Sequence, residues 1–226
     1  MGHQILQPSS AALWALAESQ HGVVARSQLL DLGLSPEAIK HRMAKGRLHP
    51  VWRGVYALGR PQLSRHGTWM AAVLSCGPEA SLSHRSAATL WRICQERGGE
   101  VEITLPARVA RRRPGIVVHR GSRLLPADLT RYHGIPVTSP VRTLIDLAAC
   151  LPRDQLEAAV NEADKHDLTD PDKLRSALGR YSGQSGATAL REALDRRTFT
   201  LTESELERRF LPVARKAGLP PPRTRV

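Results

Sequence analysis

The stretch that most limits what this chain can become is residues 22–58, GVVARSQLLDLGLSPEAIKHRMAKGRLHPVWRGVYAL. It reads as two short helices, a tight turn and a two-stranded ribbon. Arg26 to Leu32 suits a helix, and Gly33 suits the positive φ that closes one. Ser35 is placed to cap the next helix, with Pro36 at its first position, where a missing N–H is harmless. Over residues 36–45, Ile39 and Met43 are the only large apolar residues. Four apart, they share a face, so both are expected to point into a core. Glu37, Lys40, His41 and Ala44 then take the opposite face, and Gly46 stops the helix after Lys45. Residues 48–58 alternate and hold Val51, Trp52, Val55 and Tyr56, which predicts a β-ribbon bent at Arg53 and Gly54. A helix that is apolar inside and basic outside, followed by such a ribbon, is the grammar of a winged helix.

A winged helix can lay its second helix in the major groove of DNA while the wing touches neighbouring backbone. Lys40, Lys45, Arg47 and Arg53 are then placed to meet phosphate, and His41 and Ala44 to approach base edges. The competing reading is a protein–protein module whose basic face is merely solvated. The charge distribution bears on that choice. The formal net charge is +12, and 28 of the 33 basic residues are Arg. The excess is +4 in residues 1–60 and +6 in residues 61–150, falls to −1 in residues 151–200, and is +3 in residues 201–226. A polyanionic partner is the simplest physical cause. An Arg-rich coding bias is the alternative.

Cys76, Cys94 and Cys150 are far apart, form no CxxC pair and are odd in number. They fit a reducing cytoplasm rather than a disulfide framework. No signal-peptide pattern opens the chain, and no run approaches the roughly 20 apolar residues of a membrane span. Residues 61–198 hold no Walker loop, no GxGxxG and no HExxH, and no cofactor is expected.

Ahead of the central stretch, Ser9 or Ser10 can cap a helix over residues 11–19. Its Leu13, Leu16 and Ala17 are expected to pack on Leu29, Leu30 and Ile39. The run HGVVARSQLLDLGLSPEAIKHRMAKGRLHPVWRGVYAL, above all GVVARSQLLDLGLS and RGVYAL, resembles the N-terminal winged helix of AbiEi-type antitoxins from type IV toxin–antitoxin systems. The strings SHRSAATLW and GIPVTSPVRTLIDLA resemble later segments of the same family. The resemblance implies a domain that binds operator DNA and represses its own operon.

Gly59-Arg60-Pro61 marks a boundary. A helix follows over residues 64–75, with Trp69, Ala72, Val73 and Cys76 on one face and Gly77-Pro78 as its stop. A second helix is expected over residues 83–93. Its Ser83-His84-Arg85-Ser86 cluster holds the raw material of acyl transfer. Ser83 is also a natural N-cap, and helix neighbours in sequence do not face each other, which argues against a nucleophile. Residues 100–105 and 116–120 read as paired strands, joined by a hairpin loop carrying Arg108, Arg111, Arg112 and Arg113. That loop is either a second nucleic-acid contact or a solvated turn. His119 and His133 can be imagined near Asp128 and Asp146, but no spacing makes them a metal site. A short strand, IPVTS, leads to helices over residues 139–149, 152–166, 169–178 and 187–196, the first with an Arg142–Asp146 pair.

Residues 199–226 resemble the opening of a nuclease-like domain related to very-short-patch-repair endonucleases, of the PD-(D/E)XK class. The resemblance gives Glu207 the place of the helix Glu that positions a metal-bound water. The same residue completes a capping box with Ser204. The sequence stops before any strand that supplies the Asp, Glu and Lys such a site needs. The tail is therefore expected to be a truncated start of that domain, with Glu207 vestigial and no bound metal.

The sequence thus predicts a mixed α/β (α+β) chain in three parts. These are a winged helix–turn–helix domain over 1–60, a helix-rich domain with a small sheet over 61–198, and an incomplete nuclease-like start over 199–226. The function expected is a non-enzymatic, cytoplasmic DNA-binding regulator resembling an antitoxin. Its partners would be double-stranded DNA and, in one reading, a nucleotidyltransferase-like toxin. The alternative is a truncated member of a DNA-cleaving winged-helix family.

Overall fold

The computed structural model describes residues 10–95, 98–109, 111–121 and 124–194, together with 210, 213, 216 and 217. The fold is mixed α+β, with two compact units. The first comprises Met1–Ala87 and Glu96–Ser139, and the second Ala88–Gln95 and Pro140–Val226.

The first unit begins with α1 (Ser10–Ser19), β1 (Val23–Ala25), α2 (Arg26–Asp31), α3 (Pro36–Ala44), β2 (Leu48–Trp52) and β3 (Val55–Leu58). These make a three-stranded antiparallel sheet in the order β1-β3-β2 under three helices, a winged helix. Leu13, Ala17, Leu29, Ile39, Leu48 and Tyr56 are buried together in its core. Leu30 is not among them. It is 40% exposed, because neighbours on a helix point about 100° apart and Leu29 takes the core side. The sequence reading also missed β1. Three residues between two helices are too few to show a period-2 pattern, and β1 exists because Val23, Val24 and Ala25 pair with β3.

The same unit carries α4 (Arg65–Cys76), β4 (Ser81–Leu82), the start of α5 (His84–Leu90), β5 (Val101–Pro106), β6 (Ile116–Gly121), β7 (Leu129–Tyr132) and β8 (Ile135–Thr138). Ser64 caps α4 by accepting from Gly67 N at 3.1 Å, and Gly77 ends it at φ 110°. Trp69, Ala72, Val73 and Cys76 are buried as expected. The five strands form one mixed sheet in the order β6-β5-β4-β8-β7. Here the structure corrects the sequence. β5 and β6 pair parallel, Val101 with Ile116 through Pro106 with Gly121. The segment 107–115 is therefore no hairpin tip but a return that brings the chain back to the strands' starting end. Parallel neighbours require such a crossover, usually a helix, whereas alternation alone does not encode strand direction.

The second unit is helical, with α6 (Pro140–Ala148), α7 (Arg153–Lys165), α8 (Pro171–Ala177), a 3₁₀ turn at Leu178–Tyr181 and α9 (Ser185–Ala193). Asp170 caps α8 by accepting from Lys173 N at 2.8 Å, and Pro171 follows at the first position. Leu144, Leu147, Val160, Leu174 and Leu190 are fully buried. Gly186 sits where an added Cβ would overlap the Ile145 carbonyl oxygen, so α6 and α9 pack backbone against backbone at that point.

Candidate nucleic-acid interface

Ser35 Oγ accepts from Ala38 N at 3.1 Å, and Pro36 occupies the first turn of α3. Gly46, at φ 64°, ends the helix. Ile39 anchors it, at 1% exposure. Lys40, His41, Ala44, Lys45 and Arg47 are exposed, as is Arg53 at the bend of the wing, where Gly54 takes φ 79°. Met43 departs from the expectation that it shares the core with Ile39. It is 36% exposed. Four residues turn a helix by about 400°, so Met43 lies about 40° round from Ile39. On so short a helix that rotation carries it off the core and along the side facing the wing. Met43 and Lys40 line a groove with Arg53, Gly54, Tyr56 and Arg113.

Arg113 reaches that groove because of the parallel return. Trp52 of the wing donates from Nε1 to the Pro114 carbonyl oxygen at 3.0 Å. Arg53 then lines one depression with Arg111, Arg112 and Arg113. Arg111 and Arg112 are exposed and Arg113 is half-buried. Arg113 donates from Nη1 to the Arg112 carbonyl oxygen, while its Nε is buried with no hydrogen-bond partner among the described residues. Such a donor is costly until an acceptor meets it. Arg108 is separate from this group and pairs with Glu79. Two basic segments that the sequence offered separately thus form one surface, minus Arg108. Arg26, which sequence reasoning left out, lines the same groove.

An acidic group, Glu37, also stands in this region. Its carboxyl is held below its ordinary range, first by the backbone N–H at the helix start and then by the Ser35 hydroxyl, with Lys40 and Arg26 adding attraction. It stays anionic and does not switch near neutrality.

The other candidates fall elsewhere. Ser83 Oγ does lie 3.0 Å from His84 Nδ1, contrary to the expectation that helix neighbours cannot meet. His84 adopts φ 49°, outside helical geometry, and its ring turns back onto Ser83. Left-handed backbone at a non-glycine residue costs about 1–3 kcal/mol. Ser83 is wholly buried and unavailable to a substrate. Ser86 Oγ accepts from Glu102 N at 3.0 Å. Asp128 closes its own turn by accepting from Leu125 N at 2.8 Å, and Asp146 pairs with Arg142 at 2.9 Å. The His133 carbonyl oxygen lies 2.7 Å from His21 Nε2. His119 joins His84 and Glu102 instead. Glu207 lies outside the described residues. In the tail, Phe210 and Val213 are helical and exposed.

Residues 13–59 match the family described as a transcriptional regulator, AbiEi antitoxin. Residues 79–196 match the AbiEi antitoxin C-terminal domain. No curated protein gives a significant match. The crystal structure of the RV2827C protein from Mycobacterium tuberculosis is 20% identical in sequence, covers 86% of this chain and 79% of its own, and superposes with a TM-score of 0.49.

Proposed function

The chain belongs to the AbiEi antitoxin family, and from that premise we propose that it is a DNA-binding transcriptional regulator that represses its own operon. The observation that carries this reading is the convergence of α3, Arg53 of the wing, and Arg111, Arg112 and Arg113 on one basic surface. In this reading α3 enters the major groove. His41 and Ala44 approach base edges, and Met43 presents an apolar surface suited to a thymine methyl group. Lys40, Lys45, Arg47 and Arg53 neutralise the flanking phosphates. The returning arginines extend that footprint along the backbone.

The test is a titration against the DNA upstream of the gene at several salt concentrations. The triple variant Lys40→Ala, Lys45→Ala, Arg53→Ala should lose most binding. Arg111→Ala, Arg112→Ala, Arg113→Ala should weaken binding to all sequences alike and lower the salt slope by about 0.9 for each phosphate left without its cation. Substituting His41 or Ala44 should change sequence preference more than affinity. Parent-like binding by the first triple variant would remove the winged helix as the DNA reader. A nucleotidyltransferase-like toxin is the protein partner proposed with this reading, and an adjacent gene encoding one would support it.

A further inference from the structure

Three side chains that lie far apart in sequence meet on the five-stranded sheet. His84 opens α5, Glu102 lies on β5 and His119 on β6. Their ligand-capable atoms all lie within 4.8 Å of one another, and each residue is half-buried. The parallel register builds part of this group. Val117 is opposite Glu102, so His119, two residues on, shares Glu102's face of the sheet.

Hydrogen bonds hold two of the three from behind. His84 Nδ1 lies 3.0 Å from Ser83 Oγ, which fixes the ring and makes Nε2 the nitrogen that would ligate. Glu102 Oε2 accepts from Arg85 N at 2.6 Å, leaving Oε1 toward His119. Bonds of this kind orient metal ligands in proteins. Among the described residues His119 Nε2 is buried without a hydrogen-bond partner, and at 3.9 Å from Glu102 Oε1 the pair is too long to supply one. The imidazoles of His84 and His119 stack with centroids 3.5 Å apart and planes 13° apart.

We propose that His84, Glu102 and His119 form a three-ligand site for a zinc-class divalent cation. Two imidazole nitrogens and one carboxylate oxygen are a borderline donor set. It suits Zn²⁺ and its first-row neighbours and not the all-oxygen shells of Ca²⁺ or Mg²⁺. Tetrahedral ligation at about 2.0–2.1 Å places ligand atoms roughly 3.4 Å apart, so the three must close in by about an ångström from their present spacing. Rotation about the side-chain torsions of His84 and His119, with the rings splaying out of their stack, supplies that movement. Three protein ligands leave a fourth position for water. The site is separate from the residues assigned to DNA and does not depend on that assignment.

The test uses the full chain, stripped with a chelator and titrated with Zn²⁺ by calorimetry. One ion per chain is expected, with affinity falling as pH drops because the imidazoles must be neutral. His119→Ala and Glu102→Gln should each weaken binding at least tenfold. The glutamine keeps the acceptor for Arg85 N. His66→Ala, in the separate histidine group of His21, His66 and His133, should leave binding unchanged. X-ray absorption at the zinc edge of the parent chain should show imidazole and oxygen ligands without sulfur, which decides the matter even if a variant does not fold. Absence of stoichiometric binding, unaltered affinity in a folded His119→Ala, or sulfur in the first shell would overturn the site. In the first case the cluster is simply a stacked histidine pair beside a carboxylate.

Discussion

The two units spend their charged residues differently. In the helical unit, acids and bases sit three or four residues apart and pair within their own helices. Arg153 meets Glu157 at 2.8 Å, Lys165 meets Glu162 at 3.4 Å, and Arg175 meets Asp172 at 2.7 Å. In the first unit the α3, wing and return residues gather cations around one groove, with Glu37 as the acid that acts beside Lys40 and Arg26. The sequence totals agree, at +9 for the residues of the first unit and +3 for those of the second. Charge neutralised inside a helix explains itself by local stabilisation. Charge gathered around a groove asks for a counter-charge from outside.

The sharpest way to break this contrast is Asp146→Ala. The Arg142–Asp146 pair is nearly buried, with side-chain exposures of 11% and 4%, and Arg142 also donates to Gln184 Oε1 at 3.2 Å. Removing the carboxylate strands a buried guanidinium and should cost about 3–5 kcal/mol in denaturant unfolding. A loss below about 1 kcal/mol would show that the pair is solvated like a surface one.

Next in size is a pair of substitutions on α3. Ile39→Ala should cost about 2–5 kcal/mol, as for any buried large-to-alanine change. Met43→Ala should cost under about 1 kcal/mol yet reduce DNA affinity, because Met43 faces the groove and not the core. Equal losses of stability would return Met43 to the core.

A smaller, pH-dependent effect belongs to His66. Burial first, and then the neighbouring His21, His133 and Arg65, hold its pKa below the ordinary 6.5. The unfolded chain therefore takes up this proton before the folded one does. Stability should fall as pH drops from about 6.5 through the depressed folded value, then level off. Thermal unfolding across a range of about pH 4–8 should show this slope in the parent and a flatter one in His66→Gln. The smallest effect should be Arg153→Ala, under about 0.5 kcal/mol, because that pair is half exposed and local.

Local chemistry was the legible part of the sequence. Ser35, Pro36, Gly33 and Gly46 announced α3 and its limits, and Gly77 announced the end of α4. Signals of this kind act within about four residues, where the chain's own dihedrals and caps decide the outcome. What depends on distant partners did not show. β1 and β4 are two or three residues long and exist only through their neighbours. The parallel sense of β5 and β6 leaves no mark on alternation. The grouping of His84, Glu102 and His119 has no spacing motif, since sheet register and one left-handed residue create it. The arginines at 111–113 were visible as a charge cluster, but their place beside Arg53 followed only from strand direction.

That direction also sets how the chain tolerates insertions and deletions. The nine residues between Pro106 and Ile116 must recross a six-residue strand, and no helix is present among the described ones to carry them. Fully extended they reach roughly 30 Å, against about 20 Å for the strand they retrace. The slack is therefore only about three residues. Added residues would bow outward and leave the sheet register alone. Losing two or three would draw the segment taut and pull the guanidinium groups away from the wing before the strands themselves parted. Homologues that differ in length here should lengthen this segment freely and shorten it rarely, and the shortened ones should have lost the arginines as well.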